Sequence, residues 1–164
     1  MTASHDGVPS RHLLYHRSLL LHYRRSPRLG TDMTVEIYIA GKYLAQARLR
    51  AERERLRVMG YLCDSHWLDQ VEQGYAITTE RALEEAARDL HQVQRADWII
   101  LDTQDPSDTG GREVELGIAL GGGKWFIRIG PVRNIFHHLA NEVFESWDEF
   151  FTVTAPVVTQ DCVG

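Results

Sequence analysis

The stretch ADWIILDTQDPSDTGGREVELGIALGGGK, residues 96–124, decides the fold. Trp98 to Leu101 is a continuous apolar run, too short for a helix and suited to a strand buried on both faces of a parallel sheet. An acidic loop ending in Gly110-Gly111 follows. Glu113 to Leu120 then reads as a short apolar helix, stopped by Gly121 to Gly123. A second strand, Lys124 to Gly130, comes immediately after. Strand, loop, helix and strand in this order form one unit of a parallel α/β sheet.

The same alternation extends outward from this unit. Upstream, Val35 to Ile39 is β-rich and is stopped by Ala40-Gly41. Leu44 to Met59 is a charged helix with Ala47, Leu49, Leu56 and Met59 available for a buried stripe, and Gly60 is its stop. Tyr61 to Cys63 is a short second strand. After it, DSHWLDQVEQGYAITT (64–79) is irregular, and long loops are often lids or binding loops. Thr79 is placed to cap the next helix, with Ala82, Ala86, Leu90 and Val93 on one face. Downstream, Glu142 to Phe144 is a fifth strand. Ser146 to Phe150 is a short closing helix with a serine cap, and the tail from Thr152 to Gly164 is loose. The expectation is an α/β fold with a parallel sheet of about five strands and helices on both faces. In such sheets ligands bind beyond the carboxyl ends of the strands. The loops holding Tyr38 to Tyr43, Asp64 to Asp69 and Asp102 to Glu115 should then share one crevice and gather acids there.

With 164 residues, 43% hydrophobic and 25% charged, the chain has the profile of one soluble globular domain. A net charge of −5 argues against binding nucleic-acid polymers, which takes a basic face. Two distant cysteines, Cys63 and Cys162, give neither a disulfide framework nor a metal knuckle, so a reducing, cytoplasmic setting is expected. No apolar run reaches the ~18 residues of a membrane span. Residues 1–32 stand apart, with five arginines, four of the eight histidines and only two acids. Their Ser- and Arg-rich character resembles a presequence faintly. Because MTVEIYIAGKY, from Met33, looks like a natural start, they are read as a dispensable, disordered or mis-assigned extension. The domain is read as residues 33–151.

Several motifs fail on inspection. Gly121-Gly122-Gly123-Lys124 lacks the spacing of a phosphate loop, since Ile118 stands where its first glycine belongs and Trp125 follows the lysine. The turn after the first strand, AGKYLA, carries no dinucleotide fingerprint. A phospho-acceptor domain would want an acidic pair ending that strand, and none is there. His137 and His138 do not share a helical face, so they are read as structural or solvated. No metal and no organic cofactor is expected. His66-Trp67 should roof the crevice, where substrate contact and simple packing are both open readings.

Glu115 is the informative residue. The helix dipole accounts for Glu113, a first-turn acid worth about 0.3–1 kcal/mol. It accounts poorly for Glu115, which is followed by Leu116-Gly117-Ile118-Ala119-Leu120 with no polar face to join. Gly110, Gly111 and Gly117 keep the surroundings thin enough for a ligand to approach. A carboxylate at a helix start beside Arg112 would be held ionised, and therefore nucleophilic.

Taken together, IYIAGKY (37–43), ARDL with ADWIILD (87–90, 96–102) and GGREVELGIALGGGKW (110–125) resemble the nucleoside 2-deoxyribosyltransferase family, which includes the 2'-deoxynucleoside 5'-phosphate N-hydrolases. The closing GPVRNIFHHL and FESWDEF (130–139, 144–150) resemble its short bacterial and phage forms, so the likeness spans residues 34–150. It implies a three-layer flavodoxin/Rossmann-like fold and cleavage of the N-glycosidic bond of deoxyribonucleosides or their monophosphates. It implies Glu115 as nucleophile, Asp89 as proton donor or base anchor, and Tyr38 beside the nucleophile and sugar. Gly41 would lie where the chain passes the ligand; Lys42, His66, Trp67 and Arg112, from the loops beside it and before Glu115, are further candidate substrate-binding residues. In the nucleotide hydrolases a hydroxyl and backbone amides before the nucleophile receive the 5'-phosphate; Ser107, Thr109, Gly110 and Gly111 occupy that stretch. A homodimer is likewise implied. The chain departs from the transferases at Thr109, where they usually carry an aspartate; Asp108 is one step away.

The chemistry of the residues agrees with that reading. Breaking a C1'–N bond passes through an oxocarbenium-like state that an anion beneath C1' stabilises and traps. Water or a second base would then release the sugar. The alternative is a non-catalytic sensor of a nucleotide-derived ligand, with Glu115 holding a ribose hydroxyl.

Overall fold

The computed structural model describes residues 34–70, 78–106 and 110–155. The expectations for residues 1–32, for Ser107 and Thr109, and for the tail beyond 155 fall outside these. Five strands form one sheet in the order β2-β1-β3-β4-β5, every neighbouring pair parallel: β1 (Glu36–Ala40), β2 (Leu62–Cys63), β3 (Trp98–Asp102), β4 (Trp125–Ile129) and β5 (Glu142–Phe144). The α/β class and the five parallel strands are as the alternation of elements predicts.

Among the described residues four α-helices connect or close the strands: α1 (Gln46–Val58), α2 (Thr79–Arg95), α3 (Gly111–Gly121) and α4 (Trp147–Thr154). The chain steps one way from β1 to β2 and the other way from β2 to β3. Right-handed crossovers therefore put α1 on one face and α2 on the other. Arg55 of α1 ties the first layer together, pairing with Asp148 at 2.9 Å and lying 3.9 Å over the Phe151 ring of α4. The other layer is the packed pair α2 and α3. Between the layers lies β3, buried at all five residues, with Ile100 and Leu101 fully inaccessible. Burial of this kind is worth roughly 1.5–3 kcal/mol per large aliphatic side chain.

The order 2-1-3-4-5 reverses direction between β1 and β3, which is where such sheets open a crevice beyond their carboxyl ends. In register across the sheet, Tyr38 pairs with Ile99 and Ile99 with Phe126. These three side chains share the face covered by α2 and α3.

Local expectations need correcting in four places. The α2 cap is Thr78, whose hydroxyl accepts from the Arg81 N–H at 3.3 Å; Thr79 is the first helical residue. In α1 the buried residues are Gln46, Leu49, Arg53 and Leu56, while Ala47 is exposed, because Arg53 folds inward to meet Asp69 at 2.6 Å. The face assigned to α2 is largely uncovered. Val93 is buried, but Leu90 is 41% exposed and Ala86 lies open. Finally, α4 runs on through Thr154 rather than loosening at Thr152. Trp147, Phe150 and Phe151 recur at helical spacing and pack on one another and on Phe144.

Candidate active site

The middle of β1 places Tyr38 under α3, and the second turn of α3 places Glu115 over it. The Tyr38 hydroxyl donates to Glu115 Oε1 at 2.9 Å, although the tyrosine is only 1% exposed. Asp89, from the middle of α2, completes the group: its charge acts on both Tyr38 and Glu115. Its Oδ1 is buried with no hydrogen-bond partner among the described residues. The structure thus brings Glu115, Asp89 and Tyr38 together from three elements across 78 positions of sequence (38–115).

The group is unusual in its electrostatics. Burial pushes the Glu115 carboxyl up to about 8, the charge of Asp89 adds to the rise, and the Tyr38 hydrogen bond opposes it. Burial likewise lifts Asp89 to about 6, helped by Glu85 and opposed by His66 and Arg88. Burial and the two neighbouring carboxyls also push the Tyr38 phenol upward, so it stays a donor. Glu115 as a whole is nonetheless only partly covered. Arg112 does not hold it ionised, as its place in the sequence implies. That guanidinium is buried and committed elsewhere: it donates to the carbonyls of Asp102 at 3.1 Å and Asp105 at 2.8 Å, and to Glu113 at 3.0 Å. Its work is to brace the loop that leads into α3.

The remaining candidates divide by what they touch. Gly110 takes φ 73° at the entry to α3 and offers no side-chain cap, and Gly111 is the first residue of that helix. Gly41 is closely packed: a Cβ there would press on the tip of the buried Leu49 side chain and would meet Trp67. Trp67 is buried and donates from its indole to the Ile39 carbonyl at 2.7 Å, fixing the loop after β2 against β1. Lys42 is half-buried just past β1. His66 stands on the rim, against Arg88 and 3.9 Å from Glu85.

The acids expected to converge on one crevice do not all stay free. Asp69 is paired with Arg53, and Asp102 and Asp105 with Arg48. Glu113 accepts from Arg112, from Asn134 at 2.8 Å and from His137, 3.0 Å away. His137 is fully buried; its Nδ1 accepts from the Arg133 N–H at 3.2 Å, which leaves Nε2–H to donate to Glu113. Sequence reasoning missed Gln92, whose Oε1 accepts from the His66 N–H at 2.9 Å and clamps the β2 loop onto α2. A polar residue on the inner side of α2, next to Val93, was the available signal. Among the described residues there is no group of three or more potential metal ligands. A shallow cavity of about 650 Å³ between Glu36, Arg57, Tyr61 and Arg95 is at the other end of the sheet, away from the carboxyls. Among the described residues no helix is long and apolar enough to cross a membrane.

Comparison with known proteins fits this geometry at the level of fold. No family model matches the chain, and no curated protein does. Solved structures do. A 2-deoxyribosyltransferase from the psychrotolerant bacterium Bacillus psychrosaccharolyticus matches over 74% of this chain and 92% of its own, with a TM-score of 0.60 and 22% identity. A conserved protein from Enterococcus faecalis V583 matches over 74% and 98%, with a TM-score of 0.57 and 15% identity. The Clostridium botulinum CMP N-glycosidase BcmB matches over 71% and 96%, at 0.48 and 15%. The chain therefore shares the α/β fold seen in the deoxyribosyltransferase.

Proposed function

We propose that the protein cleaves the N-glycosidic bond of 2'-deoxyribonucleosides or their 5'-monophosphates through a covalent glycosyl-enzyme on Glu115. One observation supports this reading: two carboxyls and a phenol come together between β1, α2 and α3, and among the described residues no cation pairs with Glu115. Among the described residues, Asp69, Asp102 and Asp105 are paired with arginines. Carboxyls left without one, with pKa values pushed apart, are the arrangement that acid–base and nucleophilic catalysis needs.

The steps follow from the charges. Glu115 in its ionised form attacks C1', the C1'–N bond breaks, and its electron pair passes to the base nitrogen. Asp89 supplies the proton that nitrogen takes up. In the second half, Asp89 as carboxylate removes a proton from water, or from an incoming base, which displaces Glu115 from C1'. Tyr38 holds Glu115 Oε1 so that the other oxygen faces the sugar. Between about pH 6 and 8 the pair Asp89/Glu115 carries a single proton. That is the count the first step requires, one group ionised and one protonated; in the resting pair the proton sits mainly on Glu115, so it must pass to Asp89 before Glu115 attacks.

The sensor reading has one observation in its favour. Glu115 keeps its proton up to about pH 8, and a neutral carboxyl is a good partner for a sugar hydroxyl. Chromatography of a panel of nucleosides and monophosphates, each incubated with and without adenine as acceptor, separates the cases. Free base released from deoxynucleotides in water identifies a hydrolase. Products that need the acceptor identify a transferase. Complete recovery of every compound, with tight binding by calorimetry, leaves the sensor.

A further inference from the structure

Arg128, near the end of β4, breaks the rule that the other buried arginines keep. Arg53 and Arg112 are buried against an acid and against backbone carbonyls. Arg128 is only 8% exposed, yet it forms no ion pair or hydrogen bond among the described residues. Its Nε is sealed from solvent without a partner. The two terminal nitrogens are neither bonded nor sealed, so the outer edge of the guanidinium fork reaches solvent. Burial alone acts on its pKa, downward, with no carboxylate opposing it. A buried charge without a counter-charge costs stability, and nothing among the described residues offsets that cost.

In register, Arg128 stands between Leu101 and Val143, on the face of the sheet that carries Tyr38 and α3. Val143 is exposed, so α3 does not cover that face as far as β5. The short 3-10 helix Ile135–Leu139 lies on the same side, because Asn134 and His137 tie it to Glu113 of α3. Its Ile135, Phe136 and Leu139 are all exposed. The open fork and a patch of four exposed apolar side chains thus share one side of the β5 edge. From Gly130 to Phe144 the exposed charged or titratable side chains are the basic Arg133 and His138. The one acid of that stretch, Glu142, is buried on the opposite face of β5.

We infer that this patch docks a segment of another protein in which an acidic side chain is flanked by apolar ones, the acid being taken by Arg128. Charge complementarity chooses the occupant. The planar fork matches the two oxygens of a carboxylate. Its stem is already fixed in the sheet, so little freedom is lost on binding. Apolar neighbours exclude water around such a pair, which is where an arginine becomes an anchor of an interface. A second copy of the chain is a poor occupant, since the same patch offers Arg128, Arg133 and His138 but no acid. An inorganic anion would use the fork and leave the apolar side chains uncovered.

A display library of random short peptides, selected on the full chain and counter-selected on Arg128→Met, tests the inference independently of any activity. Enriched peptides should share an Asp or Glu flanked by Leu, Ile, Phe or Trp. A synthetic peptide of that sequence should lose roughly 30-fold in affinity on Arg128→Met, as with an anchor arginine. It should lose about as much when its own acid is changed to the amide, and the two changes together should cost little more than either alone. Arg128→Met should melt no lower than the wild type, because it removes a buried charge that has no counter-charge. An arginine with a merely structural role would lower the melting temperature when replaced. Enriched peptides without an acid, no enrichment, additive losses or a lower-melting Arg128→Met each overturn the assignment. So does tight binding of inorganic phosphate that Arg128→Met abolishes, or self-association in sedimentation that Phe136→Glu disrupts.

Discussion

Two acidic clusters lie against this sheet, and they are built on opposite principles. At the end of β3, Asp102 is 1% exposed yet fully partnered: Arg48 grips both its oxygens at 2.8 and 3.1 Å, and the Trp147 indole donates at 2.7 Å. Arg48 also takes Asp105 and Gln104, each at 2.8 Å. A few residues away, Glu115 and Asp89 are lifted in pKa by burial, with one phenol bonded to Glu115 and an orphaned Oδ1 on Asp89. Every acid in the first cluster is neutralised, which ties α1, β3 and α4 together. In the second no ion pair is formed among the described residues, and that costs stability. The difference teaches where to look for chemistry. A buried carboxylate with an arginine is architecture, and one without is poised to react.

Removing Glu115 should separate the two clusters most sharply. Glu115→Gln is expected to lower base release by at least about 10⁴-fold, as loss of a covalent nucleophile does, measured by single-turnover chromatography. The same change should stabilise the fold at alkaline pH. Glu115's folded pKa, about 8, lies above its ordinary 4.5, so its ionised form is the unfavourable one. Wild-type stability therefore falls as pH rises from about 4.5 to about 8, and the variant lacks that fall. Melting curves should coincide near pH 5 and diverge by several degrees, roughly, at pH 8–9.

Asp89→Asn should cost about 10²–10³-fold, the usual worth of a general acid. The wild-type kcat/KM profile should be a bell with limbs near 6 and 8. The variant should lose the bell and, with a neighbouring negative charge gone, show a single ionisation of Glu115 below 8. An unchanged bell would remove Asp89 from the reaction.

Arg48→Met probes the other side of the comparison. It strands Asp102 with the Trp147 indole as its main partner and should cost about 2–4 kcal/mol in urea unfolding. That is toward the lower end for a broken buried pair, because the guanidinium is 35% exposed. Activity of the folded fraction should be nearly unchanged. A variant as stable as wild type would mean that the arginine cluster is decoration.

Tyr38→Phe should have the smallest effect. The lost hydrogen bond lowers the Glu115 pKa, so its removal should move the alkaline limb up by about one unit. Measuring kcat/KM from pH 7 to 10 would detect it, and a limb that moves down would contradict the assigned role.

Much of this was legible in the chain itself. Trp98 to Leu101 gives away a buried parallel strand because four apolar residues in a row leave no exposed face. Glu115 stands out because nothing polar follows it on α3. The fate of the other acids was not legible. Whether Asp69 or Asp102 is free depends on arginines 16 and 54 positions away, and no local pattern records which acid each arginine reaches. Arg112 shows the same limit, since adjacency in sequence suggested a partner for Glu115 while the backbone carbonyls of Asp102 and Asp105 claimed it. The α2 face was misread for a related reason: apolar spacing marks a face that wants cover, not what covers it.

The decisive measurement is mass spectrometry of the protein quenched during turnover of a deoxynucleotide or deoxynucleoside. The peptide holding Glu115 should carry the added mass of the deoxyribosyl group, with or without its phosphate, and Glu115→Gln should carry none. Steady release of base with no adduct on that peptide, or an adduct on another residue, would contradict the assignment of Glu115 as nucleophile.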